Sequence, residues 1–107
     1  MKTVILCLLG LSLICISAAF ACDKNSAREV DAMVSQMGTK KVKGNNVTFK
    51  WGKDWNHMDS IQKEKMIRAV ADSDACLLGL PREIKFYSPK GKLVGIASPE
   101  TGINVFP

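Results

Sequence analysis

His57 is the single histidine of the chain, and it is the first residue to consider for catalysis or metal binding. One imidazole cannot supply a zinc site built from several histidines. The sequence also contains no phosphate loop, no Gly-x-Ser-x-Gly and no His-Glu-x-x-His. We therefore assign no catalytic residue and favour a protein that is not an enzyme. If it were one, Asp54, His57 and Asp74 would be its acid–base set.

Methionine thioethers beside an imidazole are the ligands that suit Cu(I) in an oxidising compartment. Met58 follows His57 directly, and Met33 and Met37 are spaced one helical turn apart. Methionines at helical spacing on an apolar stripe are more often ordinary core residues. We predict no cofactor, and a copper-handling protein that uses His57 and Met58 is the alternative.

Residues 40–55 interleave lysines with aromatic residues, a composition that is typical of surfaces that bind polyanions. A simpler interpretation is a solvated strand edge protected by lysines, with two partly buried tryptophans. Under the binding hypothesis the partner is another protein or an anionic surface polymer. The candidate binding residues are Lys40, Lys41, Lys43, Lys50, Trp51, Lys53 and Trp55.

The N-terminus has the pattern of a secretory signal peptide. Lys2 precedes an apolar stretch over 3–16, and small residues at Ala19 and Ala21 form an Ala-x-Ala cleavage signal. We expect residues 1–21 to be a signal peptide and residues 22–107 to form a single small domain, periplasmic or secreted. The alternative is an uncleaved membrane anchor. Export argues against nucleic acid as a partner.

Two cysteines, Cys22 and Cys76, remain after cleavage. In an exported protein such a pair predicts one disulfide. A cysteine placed directly after a cleavage site also resembles the lipidation site of a bacterial lipoprotein, in which Cys22 would be acylated and Cys76 left as a thiol. Membrane association is expected only with such an acylated cysteine or with a retained signal peptide. The spacing of the two cysteines does not match the Cys-x-x-Cys of thiol oxidoreductases.

The periodicity of residues 22–107 predicts an α+β fold. A capping box at Ser26 and Glu29 predicts a helix over 26–37, and the spacing of Asp59 and Gln62 predicts a longer helix over 60–78. Alternating patterns predict strands at 47–51, 84–88, 92–98 and 103–106. The expected architecture is two helices packed on a small, mainly antiparallel sheet, in the order α-β-α-β-β-β.

Asp74 interrupts the apolar face of the longer predicted helix. Either the helix breaks near the short polar residues 72–74, or Asp74 is a buried acid; the polar cluster favours the break.

A chain of 107 residues with 47% hydrophobic residues and a net charge of +5 allows one domain. The sequence thus predicts a small exported, non-catalytic binding protein whose partner is an envelope protein or an anionic polymer.

Overall fold

The structure, a computed structural model, describes residues 22–107. The predicted signal peptide, residues 1–21, lies outside the described residues. Within residues 22–107, two helices, five strands and a short 3-10 helix follow one another. They are α1 (Lys24–Ser35), β1 (Gly38–Lys43), β2 (Asn46–Trp51), the 3-10 helix (Lys53–His57), α2 (Ser60–Leu78), β3 (Ile84–Tyr87), β4 (Leu93–Ser98) and β5 (Gly102–Val105).

The strands form one mixed sheet in the order β1-β2-β3-β4-β5. Three of the pairings are antiparallel, and β2 pairs with β3 in parallel. Parallel neighbours need a crossover connection, which α2 supplies. The predicted α+β class and mainly antiparallel sheet are confirmed, but the predicted order lacked β1.

β1 was missed because its sequence, Gly-Thr-Lys-Lys-Val-Lys, shows no apolar alternation. The strand forms through a tight hairpin in which Lys43 faces Asn46 across a two-residue loop. Gly44 takes φ 58° at the first loop position, the conformation that a type II′ hairpin requires. Pairing with a buried neighbour strand, and not local propensity, therefore makes this segment a strand.

Both helices contribute to a core on one face of the sheet. Along β2 every second residue is buried, as a strand with one solvated face requires. The buried apolar cluster comprises Val34, Val47, Phe49, Trp51, Trp55, Ile67, Val70, Ile84, Phe86, Val94 and Ala97. At Gly95 a methyl group would lie 2.5 Å from Ile67 Cδ1, so glycine permits the close approach of α2 to β4.

α1 begins earlier than its sequence signal suggested. Asp23 is the N-cap, with its carboxylate accepting hydrogen bonds from the backbone amide of Asn25 and from the hydroxyl of Ser26, both at 2.9 Å. The predicted capping box at Ser26 and Glu29 is therefore wrong. Asp23, one turn upstream, is the N-cap instead, because its carboxylate accepts a hydrogen bond from a backbone amide of a first turn that begins earlier.

α2 matches its prediction at both ends. Asp59 and Gln62 form the reciprocal capping box, and Gly79, in the left-handed conformation, closes the helix. The predicted break at 72–74 is wrong, since the helix runs without interruption through these residues. Ser73 donates to the carbonyl of Val70, and Asp74 is only 4% exposed, so the buried-acid alternative holds.

A disulfide joins Cys22 to Cys76 and ties the start of α1 to the last turns of α2. This bond confirms the predicted pairing and fits an exported protein. Acylation of Cys22 needs the same sulfur atom, so the disulfide leaves no position for a lipid chain there. Within residues 22–107, neither helix has the length and apolar content needed to cross a bilayer.

Candidate functional site on the open sheet face

The face of the sheet turned away from the helices, hereafter the open face, is rich in lysine. Side chains alternate along a strand, so the residues between the buried positions of β2 and β3 lie on this face, together with the β1 residues paired to them. Its lysines are Lys41, Lys43, Lys50 and Lys85. All four are exposed, and none of them has a carboxylate partner within 4 Å in the described part of the chain.

Strand register arranges the polar residues of the open face in two rows across the sheet. One row runs from Lys41 through Thr48 to Lys85, and the next runs from Thr39 through Lys50 to Tyr87. Lys41 and Lys85 stand two strands apart, roughly 10 Å at the usual strand spacing. Lys50 lies diagonally between them, so the Cα atoms of the three lysines form a triangle.

A shallow cleft of about 480 Å³ lies within this array. Its lining residues are Thr39, Lys41, Thr48, Lys50, Tyr87 and Gly91. Three of these carry hydroxyl groups, which can both donate and accept hydrogen bonds. The cleft is therefore a cationic depression with hydroxyl groups among its lining residues.

The strands contain five lysines and, over all five strands, no aspartate or glutamate. Four of the five lysines lie on the open face, and the fifth, Lys40, lies on the helix-bearing face. Because no strand acid offsets the four ammonium groups, their fields add and attract anions to this face. A second cleft lies beside this one, and Lys85 and Tyr87 are among its lining residues. It contains one acid, Glu83, in the loop before β3.

The structure brings together only part of the predicted binding segment. Lys41, Lys43 and Lys50 share the open face, whereas Lys40 turns to the opposite face. Lys53 is exposed on the 3-10 helix that follows β2.

Trp51 and Trp55 lie in the core, at 2% and 3% exposure, and their rings stack at a centroid distance of 4.9 Å. Lys63 Nζ covers Trp55 at 5.1 Å from the ring centroid. The indole Nε1 of Trp51 is buried without a hydrogen-bond partner among residues 22–107, so stacking, not hydrogen bonding, positions this ring. Neither tryptophan can form an exposed platform for a ligand, and their role here is packing.

Lys85 and Tyr87 complete the array but were not among the predicted site residues. Alternation within Ile84–Tyr87 signals that both lie opposite the buried Ile84 and Phe86. The sequence does not show that β3 pairs with β2. The two strands are parallel and separated by a 19-residue helix, and such a pairing leaves no local sequence signal.

On the helix-bearing face, Asp74 is the centre of an ion-pair network. Arg82 donates from Nε and Nη2 to the two carboxylate oxygens, each at 2.9 Å, and Lys40 Nζ lies 3.0 Å from Oδ1. Lys40 is also 3.7 Å from Asp31 of α1. The network joins both helices, β1 and the loop before β3, which explains why an acid is tolerated on the apolar face of α2.

This network sets the pKa of Asp74. Burial acts to raise that pKa, but the hydrogen bonds and positive charges of Arg82 and Lys40 outweigh burial and hold it below its ordinary value. A carboxyl whose pKa is depressed on folding contributes stability above its unfolded pKa, about 3.9, and loses it as pH falls further.

We therefore expect the carboxyl carbon of Asp74 to titrate, by carbon-detected NMR, with a midpoint below about 3.9, the value of an unperturbed aspartate. The free energy of unfolding should decrease over the same acidic range. A midpoint above 3.9 would show that burial dominates and that the two cations do not compensate the charge.

The three residues of the alternative acid–base set lie far apart. Asp74 lies 14 residues beyond the start of α2, about 21 Å along the helix axis, while Asp54 and His57 precede that helix. Asp54, His57 and Asp74 therefore do not meet as an acid–base set. His57 is exposed, and Met58 packs partly against the core. Among residues 22–107, no three His, Cys, Asp or Glu side chains cluster as metal ligands.

The chain was compared with protein-family models, with curated proteins and with solved structures, and none of them matches.

Proposed function

We propose that this chain is an exported binding protein whose open sheet face binds an anionic polymer. The carrying observation is the array of Lys41, Lys43, Lys50 and Lys85 on one sheet face whose strands contain no acid. Export is supported by the N-terminal signal pattern and by a disulfide that fits an oxidising compartment.

A hydrated polymer suits this face better than a protein surface does. The centres of protein–protein interfaces are enriched in aromatic residues and arginine and depleted in lysine. The open-face cleft shows the opposite composition, since its cations are lysines and its one ring is that of Tyr87. The hydroxyls of Thr39, Thr48 and Tyr87 can exchange hydrogen bonds with sugar hydroxyls, while the lysines contact carboxylate or sulfate groups.

Charge reversal on the open face tests this proposal. Protein secreted from the full chain is titrated with heparin, with polygalacturonate and with neutral dextran, and binding is followed by calorimetry. Lys41→Glu with Lys50→Glu replaces two attractions by two repulsions, so we expect affinity for the two polyanions to fall about tenfold or more. Dextran should not bind, and wild-type affinity should weaken as ionic strength rises.

Lys24→Glu with Lys65→Glu is the matched control, because it changes the net charge equally on exposed helical positions away from the open face. This pair should retain most of the wild-type affinity. Equal losses in both double variants would mean that only net charge matters. Absence of binding to either polyanion would reject the proposed function.

A further inference from the structure

The two edges of the sheet differ in how they are protected. β1, at one edge, carries Lys40, Lys41 and Lys43 within six residues, and charged edge strands resist pairing with another chain. β5, at the other edge, carries no charged residue, and the side chains of residues 102–107 are all uncharged. The uncharged edge is therefore the one that can accept a further strand.

Hydrogen bonding shows which backbone groups β5 leaves available. Phe106 N–H donates to the carbonyl of Val94 at 2.9 Å, so Phe106, and by alternation Asn104, direct their backbone groups towards β4. Ile103 and Val105 consequently direct their N–H and C=O groups outward. These two residues offer four backbone hydrogen-bonding groups along the edge.

An apolar groove of about 380 Å³ lies beside this edge, between the first turn of α2 and the C-terminal residues. Its lining residues are Ser60, Ile61, Lys63, Glu64, Val105, Phe106 and Pro107. Ile61 is 65% exposed and Phe106 37% exposed, both large side chains in contact with water. The two charged side chains that line the groove, Lys63 and Glu64, are opposite in sign, and Lys92 Nζ donates to the carbonyl oxygen of Pro107 at 3.3 Å.

We propose that β5 and this groove form the interface of a homodimer in which β5 pairs antiparallel with β5 of a second copy. A second copy fits this edge because it provides both an uncharged strand of the same length and its own exposed Ile61 and Phe106. A four-residue strand gives few ladder hydrogen bonds, so these apolar side chains supply most of the affinity.

The distribution of charge favours this pairing over the pairing of two β1 edges. All five strand lysines lie on β1, β2 and β3. Pairing through β5 gives a ten-stranded sheet whose two β1 edges are nine strand spacings apart, about 40 Å. Pairing through β1 would instead bring six lysines together. The two-fold axis runs perpendicular to the sheet, so the open faces of both copies lie on the same side of the dimer.

Analytical ultracentrifugation over a concentration series tests this inference on protein secreted from the full chain. The wild type should pass from monomer to dimer as its concentration rises. Ile61→Glu and Phe106→Glu should each raise the dimer dissociation constant by about tenfold or more. Leu80→Glu, the same change at an apolar residue that is 58% exposed, is the control and should leave it unchanged. Far-UV circular dichroism checks that each variant folds.

Hydrogen exchange locates the interface. The amides of Ile103 and Val105 should become protected as the dimer forms, while the outward amides of Lys40 and Val42 on β1 should not. A monomer at every concentration would overturn the inference. So would a dimer that Ile61→Glu and Phe106→Glu leave intact, or one in which the β1 amides are protected instead. Binding of an extended peptide at β5 without self-association would assign the edge to a different partner and would equally reject the homodimer.

Discussion

Replacing both cysteines, Cys22→Ser with Cys76→Ser, is expected to lower the free energy of unfolding by about 4 kcal/mol. The disulfide joins residues 54 positions apart and so restricts most of the unfolded chain from residue 22 onward. In a domain this small the apolar core contributes only a few kcal/mol beyond the conformational entropy, so this loss is a large fraction of the total. Urea unfolding of the two proteins, followed by tryptophan fluorescence, measures the difference.

A reductant supplies the control for this prediction. It should destabilise the wild type by a similar amount and should not change the double-serine variant, in which no disulfide exists. A difference below about 1 kcal/mol between wild type and variant would contradict the account, because α1 would then be held to α2 by packing alone.

Asp74→Ala is expected to lower the free energy of unfolding by about 3 kcal/mol. Removing this carboxylate leaves Arg82 without its counter-charge, and Lys40 keeps only the longer contact to Asp31 at 3.7 Å. The lower end of the usual range for a broken buried pair applies, because both cations retain more than a quarter of their side-chain exposure and can reach water.

Asp72→Ala is the matched control, since it makes the same change in the same helix at an exposed position. It should change stability by less than about 0.5 kcal/mol. In a double-mutant cycle, Asp74→Ala combined with Arg82→Ala should cost less than the sum of the two single changes, because each removes the same interaction. Additive effects would contradict the ion-pair network.

Local signals in the sequence were sufficient for α2 and for the buried face of β2. The ends of α2 are set by residues that are local in sequence: Asp59 and Gln62 at its start and Gly79 at its end. The alternation of Val47, Phe49 and Trp51 likewise indicates one buried face, as the structure confirms.

Features that depend on distant residues were not predictable from these signals. β1 is a strand because β2 lies beside it, not because its own residues alternate. Asp74 remains within the helix because Lys40 and Arg82, 34 and 8 positions away, compensate its charge. Which lysine and which arginine contact Asp74 depends on the fold and cannot be read from the sequence.

The candidate site divides in the same way. Lys41 and Lys50 lie in the predicted basic segment. The alternation of β2 places Lys50 on the open face, and the pairing of β1 with β2 places Lys41 there. Lys85 and Tyr87 join them only through the parallel pairing of β2 with β3. The tryptophans were considered as ligand platforms because a lysine-rich context resembles a binding surface. Their positions on the buried face of β2 and in the following 3-10 helix assign them to the core instead.

The most direct test of the central claim is to map the ligand contact by NMR. Isotope-labelled protein from the secreted full chain is titrated with a short heparin oligosaccharide, and backbone and lysine side-chain shifts are followed. We expect the perturbed residues to cluster on the open face, at Lys41, Thr48, Lys50, Lys85 and Tyr87, and the residues of α1 and α2 to remain unchanged. Perturbation confined to the helices, or none at any ligand concentration, would contradict it.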